Sequence, residues 1–372
     1  MNIAIHNSQF SYHIGGTERL IYYQIKGLLN FSDMSITLIT SKTQNPSFLY
    51  QEIKLLNSPR LKILEIDISH SYINPYNANN SLRWHVESVY FGLACQNIYK
   101  TTNFDFVVTH FSTDSLFIPY NQKNVLHLHG IPSEYSEIGE LSTRRPNFFI
   151  AVSEYVKNGW TSFYPFIENK KITVVYPGVE DKKFVTRDIE KKIDILYVGR
   201  FISIKGIYNL IEAVSKIDNS LHICLVGDGP DREIISQAIE KMCVQHKVEL
   251  LTHVSDEKLI ELYNSSKIVA LPSYAKEGVL LTMLEAASCG CAIITSNACS
   301  MPEFIRDKEN GILFEPKNSQ DLLLKINLLL YDKNLREKIG KSAQESINQE
   351  WNNKNRIHEL YDIYCEIGGN NE

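Results

Sequence analysis

Short runs of aliphatic and β-branched residues alternate along this chain with longer segments whose apolar positions recur at helical spacing. Asn2–Asn7, Ser35–Thr40 and Leu61–Ile66 read as strands. After Gly15-Gly16 the pattern predicts a helix capped by Thr17, with Leu20, Ile21, Ile25, Leu28 and Leu29 on its apolar face. Residues 70–80 read as an irregular polar loop and Leu82–Lys100 as one helix. Strands are then expected at Phe106–Thr109, Val125–His129, Phe148–Val152 and Ile172–Val175, with a helix over Ser153–Phe163. Strands this apolar, separated by helices, imply a parallel sheet covered on both faces.

Tyr176–Asp188 (YPGVEDKKFVTRD) interrupts the pattern with Pro, Gly and a charge run, and marks a domain boundary. The alternation then restarts. Strands are expected at Ile193–Val198, Leu221–Val226, Val248–Leu251, Ile268–Leu271, Ala292–Thr295 and near Gly311–Phe314. Helices are expected from Gly206, from Asp231, over Asp256–Asn264, from Val279, over Ser319–Tyr331 and over Asn334–Ile347. Trp351–Ile367 is amphipathic. Three segments follow: 1–178, 179–350, and 351–372 as a terminal helix crossing back to the first domain.

The length of 372 residues suits two ordinary domains, each with its own core. With 44% hydrophobic and 22% charged residues the chain is globular, and a net charge of −5 leaves no nucleic-acid footprint. Met1 runs directly into a strand, with no export signal, and no apolar run approaches the roughly 18–20 residues that span a bilayer. The seven cysteines lack a CxxC pair and read as reduced core thiols, so the expected compartment is the cytoplasm, including the inner face of the membrane.

Open parallel sheets bind ligands at the C-terminal ends of their strands, and the loops there collect the unusual residues of this chain. They include Gly15-Gly16, His110, His129-Gly130, Gly199-Arg200 with Lys205-Gly206, Gly227-Asp228-Gly229-Pro230, Thr252-His253 and Pro272–Gly278. Within PSYAKEGVLLTMLEAASCGCAIITS, residues 272–296, Glu277 and Glu285 straddle a helix N-terminus. Carboxylates beside anion-attracting amides suggest a ligand that carries both negative charge and hydroxyls, as a nucleoside diphosphate sugar does. His127 and His129 form an HxH pair, yet no third ligand stands at fitting spacing, so the pair does not predict a metal.

In this order and at these intervals, VVYPGVE, YVGRFISIKG, LVGDGPDRE, KEGVLLTMLEAASCG and MPEFIRDKENGILFEP resemble the large retaining glycosyltransferase family with a Glu-x7-Glu signature. Bacterial mannosyl- and glucosyltransferases and sucrose synthases typify it. The resemblance implies an α/β GT-B fold: two Rossmann-like, doubly wound parallel-sheet domains facing a cleft, acceptor on the first and nucleotide sugar on the second. It implies that Arg200 and Lys205 neutralise the diphosphate without a metal ion or other cofactor, and that Glu277 and His129 position the transferred sugar. Glu285 would accept from the ribose hydroxyls, Thr252, His253 and Val254 read the base, and the backbone of Gly278, Val279, Leu280 and Leu281 cradle the phosphates. Gly16 would admit the diphosphate and acceptor, Gly15 make its turn, and Gly199 and Gly229 lie at donor-binding positions.

Four positions depart from the family pattern: Pro177 in the hinge, Leu280 where glycine is usual, Cys291 where proline is, and Cys299-Ser300-Met301 in place of Gly-Gly. None removes a charged group. The function implied is metal-independent transfer of a UDP- or GDP-linked sugar to a carbohydrate or lipid-linked acceptor in bacterial polysaccharide, lipopolysaccharide or glycoconjugate synthesis. The rivals are an epimerase or phosphorylase of the same fold, a dinucleotide-dependent dehydrogenase (VGDGPDR places Arg232 where GxGxxG needs its third glycine) and an exported solute-binding protein. Tyr72, Tyr76, Trp84, Tyr90 and Phe91 are candidates for an acceptor groove or for core. GWTSFYPF at 159–166, near Lys157 and Lys170-Lys171, is a candidate for a helix end packed inside or for peripheral membrane contact.

Overall fold

The computed structural model describes residues 1–68, 80–132, 136–217, 221–245 and 247–369. Most of the expected polar loop, with Tyr72 and Tyr76, lies outside them. The chain divides into two compact units, 1–176 with 356–372, and 177–355. The first break falls between Tyr176 and Pro177, not after Gly178, and the terminal segment joins the first unit from Arg356.

In the first unit, seven strands are β1 (Asn2–His6), β2 (Ser35–Ser41), β3 (Leu61–Ile66), β4 (Phe106–Thr109), β5 (Asn124–Leu128), β6 (Phe148–Ala151) and β7 (Lys171–Val174). They pair in the order β3-β2-β1-β4-β5-β6-β7, every pairing parallel. The helices between them are α1 (Gly16–Leu28), α2 (Phe48–Leu55), α3 (Asn80–Ala94), α4 (Gln96–Thr101), α5 (Glu137–Arg144) and α6 (Glu154–Phe163).

Local chemistry explains several boundaries. The Ser153 hydroxyl accepts from the Val156 amide and starts α6. Thr17 does not cap α1: the cap is Gly15 and the helix begins at Gly16. The expected helix over 82–100 is two, α3 and α4, joined at the buried Cys95. α2 and α5, which periodicity missed, are eight residues each and start on serine caps, Ser47 and Ser136.

The second unit repeats the architecture with β8 (Ile193–Val198), β9 (Ile223–Val226), β10 (Val248–Leu251), β11 (Ser266–Leu271), β12 (Ala292–Ser296) and β13 (Ile312–Phe314). Their order is β10-β9-β8-β11-β12-β13, again all parallel. α7 (Ile207–Ser215), α8 (Arg232–Lys241), α9 (Asp256–Asn264), α10 (Leu281–Ser288), α11 (Met301–Phe304), α12 (Ser319–Tyr331) and α13 (Lys333–Ser346) cover it. One core gathers Ile195, Tyr197, Leu225, Ile268 and Ile294 of the sheet with Leu210, Ile211 and Val214 of α7 and Leu322, Ile326 and Leu329 of α12. Both sheets therefore reverse direction at one place, between β1 and β4 in the first and between β8 and β11 in the second, and that is where such sheets take ligands.

The last helix, α14 (Asn353–Gly369), buries Ile357, Leu360, Tyr364 and Ile367 in the core of the first unit. Gly27 of α1 admits it, since a Cβ there would stand 2.6 Å from an Ile357 methylene. The Tyr361 ring stacks on Phe31 at 3.7 Å, and its hydroxyl donates to Asp33 at 2.8 Å.

Burial decides two alternatives that the sequence left open. In 159–166, Trp160 and Tyr164 are buried in a cluster with Leu126, Phe149 and Ile167, and the Trp160 indole donates to the Gly130 carbonyl at 2.7 Å. These aromatics close the core, so the segment does not offer them to a membrane. Phe91 is fully buried under β1, in a cluster with Ala4, Ile39 and Phe104, and lines no acceptor groove, whereas Tyr90 is exposed. Of the seven cysteines, all free, Cys243 and Cys365 are exposed and so are not core thiols. Among the described residues no helix is long and apolar enough to cross a membrane.

Candidate active site

In the second unit the sequence candidates assemble on the two strands flanking the switch point. β8 ends at Val198, and Gly199-Arg200 follows; β11 ends at Leu271, and Pro272–Gly278 follows. Lys205 stands just ahead of the helix expected from Gly206. It closes a 3-10 turn, Ser203–Lys205, and Gly206 then caps α7 in the left-handed region, φ 72°. A side chain at Gly206 would bring its Cβ to 2.0 Å from the Pro272 carbonyl oxygen, so glycine lets these two loops touch.

The Tyr274 amide donates to the Ile204 carbonyl at 3.0 Å, tying the loops a second time. The result is direct: the Lys205 ammonium donates to Glu277 Oε1, residues 72 positions apart. Ser273 Oγ donates to the same oxygen at 3.1 Å.

The irregularities of the signature find a role here. Ser300 is fully buried, and its hydroxyl donates to the Glu277 carbonyl at 3.1 Å, so a departure from the usual glycines pins the carboxylate loop. Leu280 is the N-cap of α10 with φ −68° and ψ 122°, extended backbone that any residue adopts. No left-handed turn requires glycine there. α10 begins at Leu281 rather than at Val279, with no side-chain cap, and Val279 is buried.

Glu285 lies inside, 2% exposed, with the Tyr263 hydroxyl donating to Oε2 at 3.2 Å. Arg200 is exposed and its guanidinium has no hydrogen-bond or ion-pair partner among the described residues. Gly229 serves the chain itself: a Cβ there would meet the Phe201 carbonyl oxygen at 2.4 Å, and the Phe201 amide donates to the Asp228 carbonyl at 2.8 Å. Thr252–Val254 follow β10, and the exposed His253, φ 54°, stands 3.8 Å from an Asp228 oxygen.

In the first unit the ends of β4, which flanks the switch point, and of β5 beside it carry histidines. His129 lies one residue beyond β5 rather than within it, half-buried, and burial lowers its pKa to about 4. His127 is 2% exposed and its Nε2 is hydrogen-bonded to the Tyr364 hydroxyl of α14 at 2.9 Å; burial lowers its pKa to about 3. Spacing offered no third histidine, but the fold brings one: His110, just beyond β4, with Nδ1 2.9 Å from His129 Nε2. The two rings lie edge to edge, 24° from coplanar with centroids 5.1 Å apart, and their facing nitrogens engage each other; no group of three or more metal-ligating side chains occurs among the described residues.

Gly15 also differs from expectation. Its φ of −143° is ordinary extended backbone, so no tight turn requires it. What needs the missing side chain is Glu18, whose Oε2 would lie 2.8 Å from a Cβ at that position. The Glu18 carboxylate folds back over the start of α1 and accepts from the Gly15 amide and its own, a reciprocal half of a capping box. Burial outweighs those bonds and raises its pKa to about 7. Sequence reading passed over Glu18, whose only signal was its position near Gly16, and placed His110 at a strand end without giving it a partner or a role.

Residues 179–346 match the profile of the glycosyl transferases group 1, and residues 14–183 that of glycosyltransferase family 4. An uncharacterized glycosyltransferase of Methanocaldococcus jannaschii is 27% identical over 304 residues, 72% of this chain and 76% of that one. The N,N'-diacetylbacillosaminyl-diphospho-undecaprenol alpha-1,3-N-acetylgalactosaminyltransferase of Campylobacter jejuni is 32% identical over 200 residues, 53% of this chain and 52% of that one. Among solved structures, sucrose-phosphate synthase from Thermosynechococcus elongatus superposes with a TM-score of 0.82 at 17% identity, over 99% of both chains. Anabaena HepE in complex with UDP and glucose superposes with a TM-score of 0.81 at 18% identity, over 98% of this chain and 100% of that one. These likenesses show a GT-B fold.

Proposed function

The chain belongs to the glycosyl transferases group 1, and on that premise we propose that it moves a sugar from a nucleoside diphosphate sugar to an acceptor hydroxyl, with retention of anomeric configuration and without a metal ion. The observation that carries this reading is the Lys205–Glu277 contact at the switch point of the second sheet. A cation that can face a diphosphate is held against a carboxylate that can accept from sugar hydroxyls, two complementary groups for one ligand.

Donor binding exchanges these partners. Lys205 and Arg200 turn to the diphosphate, and Glu277 is released to the hydroxyls of the sugar. The amides at the start of α10, around Leu281, add donors to the phosphates, and the family position of Glu285 assigns it to the ribose. As the bond from C1 to the phosphate oxygen opens, fixed positive charge stabilises the departing diphosphate. The acceptor oxygen bonds to C1 on the same face, and its proton passes to a phosphate oxygen, leaving a glycoside and a nucleoside diphosphate. His129 orients the transferred sugar.

The UDP and glucose bound to HepE support a UDP-linked donor, with GDP as the alternative. The diphospho-undecaprenol substrate in the name of the Campylobacter relative supports a carbohydrate or lipid-linked acceptor of polysaccharide or glycoconjugate synthesis.

A screen of UDP- and GDP-sugars with mass detection of released or transferred sugar tests this. Turnover of one donor, unaffected by a chelator and giving an α-linked product from an α-linked donor, is the expected outcome. Wild-type rates in both Arg200→Ala and Lys205→Ala, or a product of inverted configuration, would overturn it.

A further inference from the structure

We propose that His110 is a positioning residue that sets the tautomer of His129, so that His129 presents an Nδ1–H donor to an oxygen of the substrate. The inference rests on the reading of His129 as a sugar-orienting group. β4 and β5 pair in parallel, Val108 against Val125 and Thr109 against Leu126, so the residues just past their ends stand side by side. There His110 Nδ1 and His129 Nε2 lie 2.9 Å apart. That contact needs one proton between the two nitrogens, donated by one ring and accepted by the other.

Both rings are neutral near pH 7. His110 is held well below the ordinary range by burial and by the neighbouring His127 and His129, and His129 is lowered to about 4 by burial. Each neutral ring has one N–H, which leaves two arrangements. If His129 donated from Nε2, the only N–H of His110 would sit on its Nε2. That atom is buried and has no partner. An orphaned buried N–H is among the rarest features of folded proteins. If His110 donates from Nδ1, its Nε2 carries only a lone pair.

The second arrangement is therefore the one the site adopts, and it puts the proton of His129 on Nδ1. His129 is half-buried and its Nδ1 has no protein partner among the described residues, which leaves it to solvent or a ligand. The His110 ring is held in place by His127, centroid 4.8 Å away, itself bonded to Tyr364. The Nδ1–H of His129 thus selects an acceptor oxygen, a ring or hydroxyl oxygen of the sugar, and the donor proton is in place before binding.

Long-range 1H–15N correlation spectra of the full chain labelled with 15N-histidine, at pH 7.5, read the tautomers, with His129 assigned by its absence in His129→Phe. The wild type is expected to show His129 as the Nδ1–H form. In His110→Phe that signal becomes a mixture of tautomers, and kcat falls about tenfold, one hydrogen bond's worth, with KM for the donor within about twofold. His110→Asn retains an N–H donor and restores both the Nδ1–H form and most of kcat. An Nε2–H form of His129 in the wild type overturns the proposal, as does a His110→Phe protein with unchanged tautomer and unchanged kcat. Should His110→Phe not fold, the wild-type and His110→Asn spectra still decide. Should the chain turn over no nucleotide sugar, the reaction assigned above fails, while the wild-type spectrum still supports or refutes the tautomer.

Discussion

Replacing Gly206 by Ala should damage the site more than any removal of a surface charge, and the structure sets the size of the effect. Gly206 has φ 72° and ψ 13°, a conformation that costs an L-residue about 1–2 kcal/mol. The new Cβ would stand 2.0 Å from the Pro272 carbonyl oxygen and 2.7 Å from its carbon, both main-chain atoms with no side-chain rotation to escape by. Overpacking of that kind typically costs about 1–3 kcal/mol more. The sum is about 2–5 kcal/mol, borne by the second unit and relieved by pushing Pro272–Gly278 away from Lys205.

Hydrogen exchange of peptides from β8 and β11 reads the local stability, and calorimetric titration with UDP reads the site. Protection should fall in both strands and UDP affinity should weaken by at least tenfold. Gly16→Ala is the internal control: nothing lies within 4 Å of a Cβ there and φ is not positive, so stability should hold or rise by up to about 1 kcal/mol. Unchanged protection and UDP affinity in Gly206→Ala would refute the claim that this close approach builds the donor site.

Tyr364→Phe keeps the ring and removes the hydroxyl bonded to His127, both residues being buried. The orphaned imidazole nitrogen should cost about 1–3 kcal/mol, read as faster exchange across α14 with little change in β8. Asp114→Asn should change the pH dependence of stability. Burial raises the Asp114 pKa from 3.8 to about 7, so its contribution is full below about pH 4 and is lost as pH rises through 7. The advantage of the asparagine variant in urea unfolding should therefore grow from pH 4 to pH 7.5. Only the difference between the two proteins isolates Asp114. His6, His127 and His129, lowered to about 3, 3 and 4, act with the opposite sign and lose stability as pH falls below 6.5. A pH-independent difference would show that Asp114 is charged in the folded state.

The alternation of apolar runs with helical periods determined the strands, most helices and the two-unit division, because burial on both faces of a parallel sheet leaves its mark residue by residue. Signature motifs in fixed order determined the family. Strand order, which only long-range pairing decides, was not legible, and with it went everything that depends on two loops meeting. Lys205 and Glu277 were read as separate groups for separate parts of a ligand until β8 and β11 proved adjacent. His110 was marked by its place at a strand end, but its pairing with His129 was not legible, since that partner stands 19 residues away on the next strand.

Burial decided the rest. An aromatic stretch such as 159–166 has the same composition whether it faces lipid or the inside of a sheet, and only the packing of Trp160 and Tyr164 against β5 and β6 tells which. Leu280 stands where glycine is usual; its extended backbone at the start of α10 needs no glycine, a fact held in dihedral angles and not in residue types.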